Sequence, residues 1–232
     1  MLFGFGTKKL QVSLEKPGTL HHHISDDEKY NVSELTIEGE LNGTDLLLLR
    51  DMAGYSMTHG GSKGCLKRLD LKNARFVTGG EGYARNAQGM CFITEDDVIP
   101  VRAFRKCENL HVVILPDNVK RIEPHAFERC SHLSSVSIPE GLETIGFRAF
   151  RKCLELKTIT FPSTLTGIDK EAFSDDVRLK KMCINSSTPP EIHISSFYDV
   201  PVFEVRFYVP EEAITTYKKN PAWKKFRNIK SI

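Results

Sequence analysis

The sequence lacks any apolar run that approaches the roughly 18–20 residues that a membrane-spanning helix requires. It also lacks a charge excess, because 32 Lys and Arg residues stand against 30 Asp and Glu residues and leave a net charge of +2. The first absence argues against a chain that crosses a bilayer, and the second gives no sign of a nucleic-acid partner. Hydrophobic residues make up 40% and charged residues 27% of the 232 residues, which is the composition of a folded protein.

The sequence also lacks the short spacings that bring metal ligands or catalytic groups together. Six cysteines are present, but no two form a C-x-x-C pair, so we expect no metal site and no bound cofactor. The consecutive histidines His21–His23 would point in alternate directions in an extended segment, and they are interpreted as a polar linker. No nucleophile, base and orienting group can be identified as a set, so the sequence predicts a protein that is not an enzyme.

A repeat of 23 residues organises the middle of the chain. Its clearest column is an Ala-Phe pair, at Ala103-Phe104, Ala126-Phe127, Ala149-Phe150 and Ala172-Phe173. Four more columns keep the same interval: Cys107, Cys130, Cys153; Leu110, Leu133, Leu156, Leu179; Pro116, Pro139, Pro162; and Ile122, Ile145, Ile168. A unit of this size is too small to bury its own apolar side, so the units must stack and share one core.

Each repeat contains one predicted β-strand. Apolar residues alternate in Leu110-x-x-Val113-x-Leu115 and in the two equivalent segments after it, and each run ends at a proline. Successive strands would lie side by side in a parallel sheet with a spacing of about 4.8 Å. The Ala-Phe column would return to the same core from the opposite side of each turn. The sequence therefore predicts an α/β solenoid with a parallel sheet.

Less regular segments on both sides of the repeats suggest one solenoid domain over residues 31–232. The expected divisions are an N-terminal extension at 1–30, an N-terminal cap at 31–65, irregular coils at 66–100, regular repeats at 101–185 and a C-terminal cap at 186–232. Short helices are predicted after Asn42 and after Pro210, because the ends of a stack expose its core. Residues 78–100 form either an inserted loop or a degenerate coil.

These features resemble the BspA-like leucine-rich-repeat proteins found on the surfaces of gut and oral bacteria. The similarity covers about residues 30–232 and includes the Ile-Pro, Ile, Ala-Phe, Cys and Leu columns. The segment from Leu35 to Asp45 is similar to the N-terminal cap of gut-bacterial members, and Phe207–Pro210 with Trp223 is similar to their closing segment. The predicted fold is therefore a leucine-rich-repeat solenoid with short helical caps at both ends.

The resemblance implies a function in recognition. Members of this family are generally exported and are associated with adhesion to host proteins, other bacteria or glycans, and no catalytic residues are attributed to the repeat. It implies a non-catalytic cell-surface or secreted protein whose partner is a protein or an acidic glycan, including host-derived ones, and not a nucleic acid. Because no export signal can be identified, we expect a signal that has been removed, with a cytoplasmic protein as the alternative. The competing hypothesis is a structural or scaffolding subunit of a cell-envelope assembly.

A group of basic residues near the Ala-Phe and Cys columns is the first candidate binding site. Stacking would turn these positions into lines on the surface, and residues 101–153 carry nine Lys and Arg against six Asp and Glu. We call this group the basic ridge: Arg102, Arg105, Lys106, Arg129, Arg148, Arg151 and Lys152. The hypothesis is that the ridge binds an acidic ligand. The alternative is that the long side chains cover the apolar turn beneath them while their charged ends stay in water.

The exposed side of the predicted strands is the second candidate site. Solenoids commonly bind partners through such a surface. We call it the strand face, and its candidate residues are Lys67, Arg68, His111, Ser135, Lys157, Thr160 and Lys180. Cys107, Cys130 and Cys153 share one column of the repeat, so they are predicted to be buried and to have no catalytic role.

Overall fold

The predicted solenoid is confirmed by the computed structural model, which describes residues 8–232. The chain forms about nine turns that consist mostly of strands and tight turns, with few and short helices. The strands in chain order are β1 (Lys8–Leu14), β2 (Val32–Leu41), β3 (Tyr55–Ser56), β4 (Gly60–Gly61), β5 (Arg68–Asp70), β6 (Ala74–Phe76), β7 (Gly79–Arg85), β8 (Cys91–Thr94), β9 (Val98–Ile99), β10 (Val112–Ile114), β11 (Arg121–Ile122), β12 (Ser135–Ser137), β13 (Thr144–Ile145), β14 (Thr158–Phe161), β15 (Gly167–Ile168), β16 (Lys181–Ile184), β17 (Glu191–Ile192), β18 (Arg206–Val209) and β19 (Asn228–Ser231).

Two sides of each turn carry parallel strands. On the strand side, β1, β2, β5, β10 and β12 are hydrogen-bonded in that order, β14 lies next to β12, and β16, β18 and β19 follow. On the return side, β9, β11, β13, β15 and β17 form a second parallel sheet. The pairing keeps the sequence interval of 23 residues, since Val113 pairs with Val136 and Ile122 pairs with Ile145. One 23-residue repeat of the sequence therefore forms one turn of the solenoid.

Short helices lie near both ends of the stack. Helix α1 (Gly43–Met52) begins with a capping box, in which the Asn42 side chain accepts from the Thr44 amide and the Asp45 carboxylate accepts from the Asn42 amide. A 3₁₀ turn (Glu211–Ala213) leads into helix α2 (Ile214–Lys219). A further 3₁₀ turn occupies Leu20–His22. The two helices match the helical caps predicted from the sequence.

The first strand lies within the segment that was expected to precede the solenoid. Strand β1 pairs in parallel with β2, so residues 8–30 add a turn to the stack instead of forming an extension. Leu20 and Ile24 on either side of the three histidines are buried in the core. The Asp45 carboxylate holds this turn in place by accepting from the Gly18 amide at 2.6 Å and from the Leu20 amide at 2.9 Å. His21–His23 are therefore exposed residues of a packed turn and not a linker.

Residues 78–100 contain an inserted β-hairpin, so of the two expected alternatives the insertion is correct and the degenerate coil is wrong. Strands β7 and β8 pair in an antiparallel manner, whereas every coil of the solenoid pairs in parallel. Met90, which keeps the spacing of the repeat, is 68% exposed near the tip of the hairpin. After the hairpin, β9 resumes the return side of the stack. Met90 therefore keeps the 23-residue spacing without lying in a coil of the solenoid.

One phenylalanine from each regular turn forms a continuous stack in the core. The rings of Phe104, Phe127, Phe150, Phe173 and Phe197 are buried and nearly parallel, with neighbouring centroids 5.2–5.3 Å apart. This distance is close to the spacing of parallel strands, so the side chains and the backbone repeat together. The stack ends at Phe226, whose ring meets Phe197 edge-on, with an angle of 88° between the ring planes. Trp223 and Phe226 are fully buried there.

The cysteine column is buried as predicted. Cys107, Cys130 and Cys153 have no exposed surface, and all six cysteines of the chain are free. Cys130 donates to the Phe104 carbonyl at 3.0 Å. Burial raises the pKa of the Cys107 thiol to about 12, which keeps it protonated and unreactive at neutral pH.

Asp176 occupies the position of this column one turn further on, where a cysteine would be expected. It is fully buried, its Oδ1 accepts from the Cys153 amide at 2.8 Å, and its Oδ2 has no hydrogen-bond partner. Burial raises the pKa of Asp176 well above its usual value. A carboxyl group with a raised native pKa favours folding when it is protonated and opposes folding when it is ionised. The contribution of Asp176 to stability is therefore lost as the pH rises above 3.8, its ordinary pKa.

We predict that removal of one ring from the phenylalanine stack destabilises the protein strongly. Phe150→Ala leaves a cavity between two rings, and the free energy of unfolding should fall by about 3–5 kcal/mol. The control is Phe203→Ala, because Phe203 is 58% exposed and its loss should change stability by less than about 0.5 kcal/mol. Urea denaturation followed by circular dichroism measures both. Similar small effects of the two substitutions would show that the stack does not support the fold.

We also predict that Asp176→Cys stabilises the protein at neutral pH. The substitution restores the cysteine column and removes an unsatisfied buried oxygen, which costs about 1–3 kcal/mol. The Cys153 amide keeps an acceptor, since it also donates to the Phe150 carbonyl. The gain should shrink as the pH falls towards 3.8, and denaturant unfolding at several pH values measures it. Asp169→Asn, at an exposed carboxylate of the same turn, is the control, and a less stable Asp176→Cys protein at pH 7 would contradict the prediction.

Candidate functional site

The basic ridge follows a segment of each turn that is hydrogen-bonded to the next turn. The backbone amides of Arg102, Phe104 and Lys106 donate to the carbonyls of Pro124, Ala126 and Glu128 at 2.7–3.0 Å. The equivalent amides of the next two turns repeat this pattern. The ridge is therefore a rigid surface, in which every second backbone amide is held by the following coil.

The chain turns sharply at two positions of each ridge segment. Arg102 and Lys106 have φ angles of +59° and +64°, and the equivalent residues of later turns also have positive φ. A left-handed conformation costs a residue with a side chain roughly 1–2 kcal/mol. Because the amides at these positions donate to the neighbouring turn, the ladder offsets the strain.

Three of the seven ridge cations are paired with carboxylates. Arg105 Nε donates to Glu128 Oε2 at 2.6 Å, Arg148 Nε donates to Glu171 Oε2 at 2.8 Å, and Arg151 Nε donates to Asp175 Oδ2 at 3.2 Å. Glu128 is almost fully buried, and its Oε2 also lies 3.0 Å from His125 Nδ1. Burial alone raises the pKa of Glu128, but hydrogen bonds from His125 and Arg105 outweigh it and lower this pKa to about 2. Glu128 is therefore ionised and neutralises part of the ridge.

A line of three cations on the ridge has no acidic partner. Lys106, Arg129 and Lys152 occupy the same position of successive turns, and no carboxylate of residues 8–232 forms an ion pair with them. The Lys106 ammonium lies 5.6 Å from the centroid of the Tyr55 ring. Neighbouring members of the line lie about 5 Å apart, the spacing of the coils. At this separation two unit charges in water repel by roughly 0.8 kcal/mol, so the fold tolerates the line readily.

The basic character of the ridge ends at Lys152. In the next turn Glu171 occupies the column of Arg102 and Arg148, and Asp175 occupies the column of Lys106 and Lys152. Both acidic residues pair with arginines of the preceding turn. The change from basic to acidic residues can be read from the sequence, because Glu171 and Asp175 follow Arg148 and Lys152 by 23 residues. The count of charges over residues 101–153 misses it, because both acidic residues lie outside that range. The ridge is thus a basic surface with an acidic end, and its net charge is smaller than the sequence suggests.

The strand face is exposed and mostly polar. Lys67, Ser135, Lys157, Thr160 and Lys180 are exposed, whereas Arg68 and His111 are half-buried. The imidazole of His111 stacks on that of His132 with 5.7 Å between the ring centroids. A shallow cavity of about 520 Å³ also opens on this side, lined by Lys157, Thr158, Arg178, Lys180, Lys181 and Arg206. The molecule therefore has two basic surfaces on different sides of the solenoid.

Side chains close the hydrogen-bond ladder at the front of the ridge. The first ridge turn has no regular turn before it, so its carbonyls need other donors. Tyr83 donates its hydroxyl to the Val101 carbonyl at 2.7 Å, and Arg50 Nη1 donates to the carbonyls of Arg102 and Ala103 at 2.6 and 2.7 Å. The sequence does not identify Arg50 or Tyr83 as candidates, because they lie in helix α1 and in the hairpin, outside the repeat columns.

A cavity of about 130 Å³ lies at this front end. It is lined by Arg50, Tyr55, Met57, Ala84, Arg85, Arg102 and Arg105. Only Arg102 and Arg105 of this set belong to the ridge as the sequence defines it. No regularity of the sequence predicts the cavity, because it forms where the hairpin and helix α1 meet the first regular turn.

Residues 8–232 contain no cluster of three or more His, Cys, Asp or Glu side chains that could hold a metal ion. In the same part of the chain, no helix combines the length and the apolar character that a membrane span requires.

Comparisons with solved structures find bacterial leucine-rich-repeat proteins. A leucine-rich-repeat protein of T. pallidum is 29% identical, with a TM-score of 0.45, over 56% of this chain and 59% of its own. The pneumococcal vaccine antigen PcpA is 17% identical, with a TM-score of 0.38, over 89% and 59% of the two chains. A leucine-rich cell-surface protein of Faecalibacterium prausnitzii is 14% identical, with a TM-score of 0.33, over 87% and 52%. This chain thus spans less than two thirds of each of these relatives.

A search of curated proteins finds no match to the chain. The model of the BspA-type leucine-rich-repeat region matches six copies over residues 97–219, which is more than half of the sequence. These residues contain the columns, the parallel coils and the phenylalanine stack described above. The chain belongs to the BspA-type leucine-rich-repeat family.

Proposed function

We propose that this chain is a non-catalytic binding protein of the bacterial cell surface that recognises an acidic protein or glycan through the basic ridge. The observation that carries the proposal is the line of Lys106, Arg129 and Lys152, which repeats one unpaired cation on each of three successive turns. Membership of the BspA-type family supports a role in recognition. The solenoid also offers the extended surface that repeat proteins use for binding.

The geometry of the line favours a ligand with several closely spaced negative charges. Three cations spaced about 5 Å apart on a rigid backbone can contact an acidic chain without any ordering of the backbone. Each contact lies at the surface and contributes little alone, so recognition depends on the array. An interaction of this type weakens when salt screens the charges. Long side chains at the surface of a turn do not have to remain unpaired, since Arg105 beside Lys106 and Arg151 beside Lys152 are members of ion pairs.

We predict that reversal of this line of charges abolishes binding to acidic ligands. The test compares the wild-type chain with the triple variant Lys106→Glu, Arg129→Glu, Lys152→Glu on arrays of acidic glycans and matrix proteins. Binding should weaken at least about tenfold in the variant and should fall with rising salt in the wild-type protein. The variant should fold, because Asp175 already occupies the same column with a φ of +65°.

The matched control is Lys67→Glu, Lys157→Glu, Lys180→Glu, which changes the net charge equally on the exposed strand face. Binding that is lost in the ridge variant and kept in this control supports the proposal. Loss in the control alone moves the site to the strand face, and equal loss in both reports only the overall charge. If neither protein nor glycan binds and the chain instead copurifies with a partner from the same cell, the scaffolding alternative replaces the proposal.

A further inference from the structure

We infer that the cavity at the front of the basic ridge is a binding site for a compact oxyanion, such as the sulfate, phosphate or carboxylate group of a larger ligand. The inference rests on the proposed function, because it assigns one defined contact to the acidic ligand of the ridge. It involves residues that the line of Lys106, Arg129 and Lys152 does not include, and it is tested separately.

The first argument is the charge of the lining. Arg50, Arg85, Arg102 and Arg105 border one cavity of about 130 Å³, and no Asp or Glu borders it. Among these four arginines, Arg105 forms an ion pair with Glu128. The Glu128 carboxylate also contacts His125 and Arg151. Four guanidinium groups therefore share a fraction of one negative charge. Bound oxyanions are the usual partners of converging arginines, because the planar guanidinium fork matches their oxygen atoms.

The second argument is the presence of buried donors without partners. The Nε atoms of Arg50 and Arg102 are buried, and neither donates a hydrogen bond. The other nitrogens of these residues do take part in the fold: Arg50 Nη1 donates to the carbonyls of Arg102 and Ala103, and Arg102 Nη1 donates to the Arg85 carbonyl. A buried donor that is left without a partner is costly, and native proteins rarely contain one. Two such donors beside one basic cavity indicate a missing acceptor.

The third argument is that the guanidinium groups of Arg50 and Arg102 are held in place before any ligand arrives. Arg50 has 3% of its surface exposed and its Cζ lies 5.0 Å from the centroid of Tyr55. Arg102 Cζ lies 5.3 Å from the centroid of Phe92. Burial lowers the pKa of Arg102, and repulsion by the positive charge of Arg105 lowers it further. An oxyanion would remove that repulsion and would meet side chains that are already ordered.

The size of the cavity limits the ligand. Sites for drug-sized molecules have volumes of roughly 300–1,000 Å³, so this cavity takes one charged group and not a whole ligand. The rest of the ligand would extend along the ridge, where Lys106 lies beside the shared Tyr55 ring. Sulfate, phosphate and carboxylate groups all meet this requirement, since each is an anion with two or more oxygen atoms that accept hydrogen bonds.

The test is a titration of the full chain with inorganic sulfate, inorganic phosphate and acetate at constant ionic strength. Calorimetry measures affinity, and the NMR signals of the arginine Nε–H groups report the location. The expected result is saturable binding with shifts confined to the Nε–H signals of Arg50, Arg85, Arg102 and Arg105. A preference for sulfate or phosphate over acetate would identify a tetrahedral group, and the opposite preference would identify a carboxylate.

Arg85→Gln is the informative variant, because the Arg85 side chain is exposed and its loss leaves the fold intact. It should weaken binding of the preferred ion about tenfold, the size of one charge-assisted hydrogen bond. Arg102→Gln should do the same, and Arg121→Gln on the return side is the matched control without effect. Unsaturable shifts spread over surface cations, or equal affinity in wild-type and Arg85→Gln proteins, would overturn the inference.

The two hypotheses fail in different ways. The triple ridge variant replaces no residue of the cavity lining, so it should still show saturable ion binding, weakened by the carboxylate that Lys106→Glu places near Tyr55, if the inference is right. Ion binding that persists while macromolecular binding is absent would retain the oxyanion site and reject the proposed function. Macromolecular binding along the ridge without any ion binding would reject the oxyanion site alone.

Discussion

The stacking of one phenylalanine per turn is the interaction on which the rest of the structure depends. Its repeat of 5.2–5.3 Å agrees with the spacing of parallel strands, so the core and both sheets impose the same pitch. Any turn with a different rise would break the ring stack and the strand ladders together. This shared pitch also places chemically equivalent residues in lines on the surface. The surface chemistry of the molecule is therefore a consequence of how its core is packed.

The same constraint explains how the ends are built. Each ridge turn donates amides to the turn after it, so the first turn has carbonyls that no coil can serve and the last turn presents an open aromatic stack. At the front, Arg50 and Tyr83 provide side-chain donors to those carbonyls. At the back, Phe226 meets the last ring edge-on and Trp223 packs beside it. Because Arg50 is one of these donors, the contact that caps the front of the solenoid also places a buried positive charge at the start of the basic ridge.

Charge on the ridge is divided between support of the fold and availability to a partner. Arg105, Arg148 and Arg151 are bound to carboxylates of the next turn, and they hold neighbouring coils together. Lys106, Arg129 and Lys152 share another column, in which the backbone amides donate to carbonyls of the next coil. Cations of neighbouring columns thus have different roles, because Glu128, Glu171 and Asp175 pair with Arg105, Arg148 and Arg151 and not with the line.

The sequence alone determined the pitch, the strand order, the buried columns and the position of the ridge. These features repeat every 23 residues, and a repeated interval reports the packing of one coil on the next. Only the tertiary structure decided which ridge cations are paired, that residues 8–30 add a turn, and that Arg50 and Arg85 meet Arg102 at one cavity. The ridge pairs keep separations of 23 or 24 residues, but the sequence does not show which side chains meet. The contacts at the cavity join residues at separations of 52 and 17, which follow no interval of the repeat. They depend on where the inserted hairpin and helix α1 pack, and no periodic pattern encodes that.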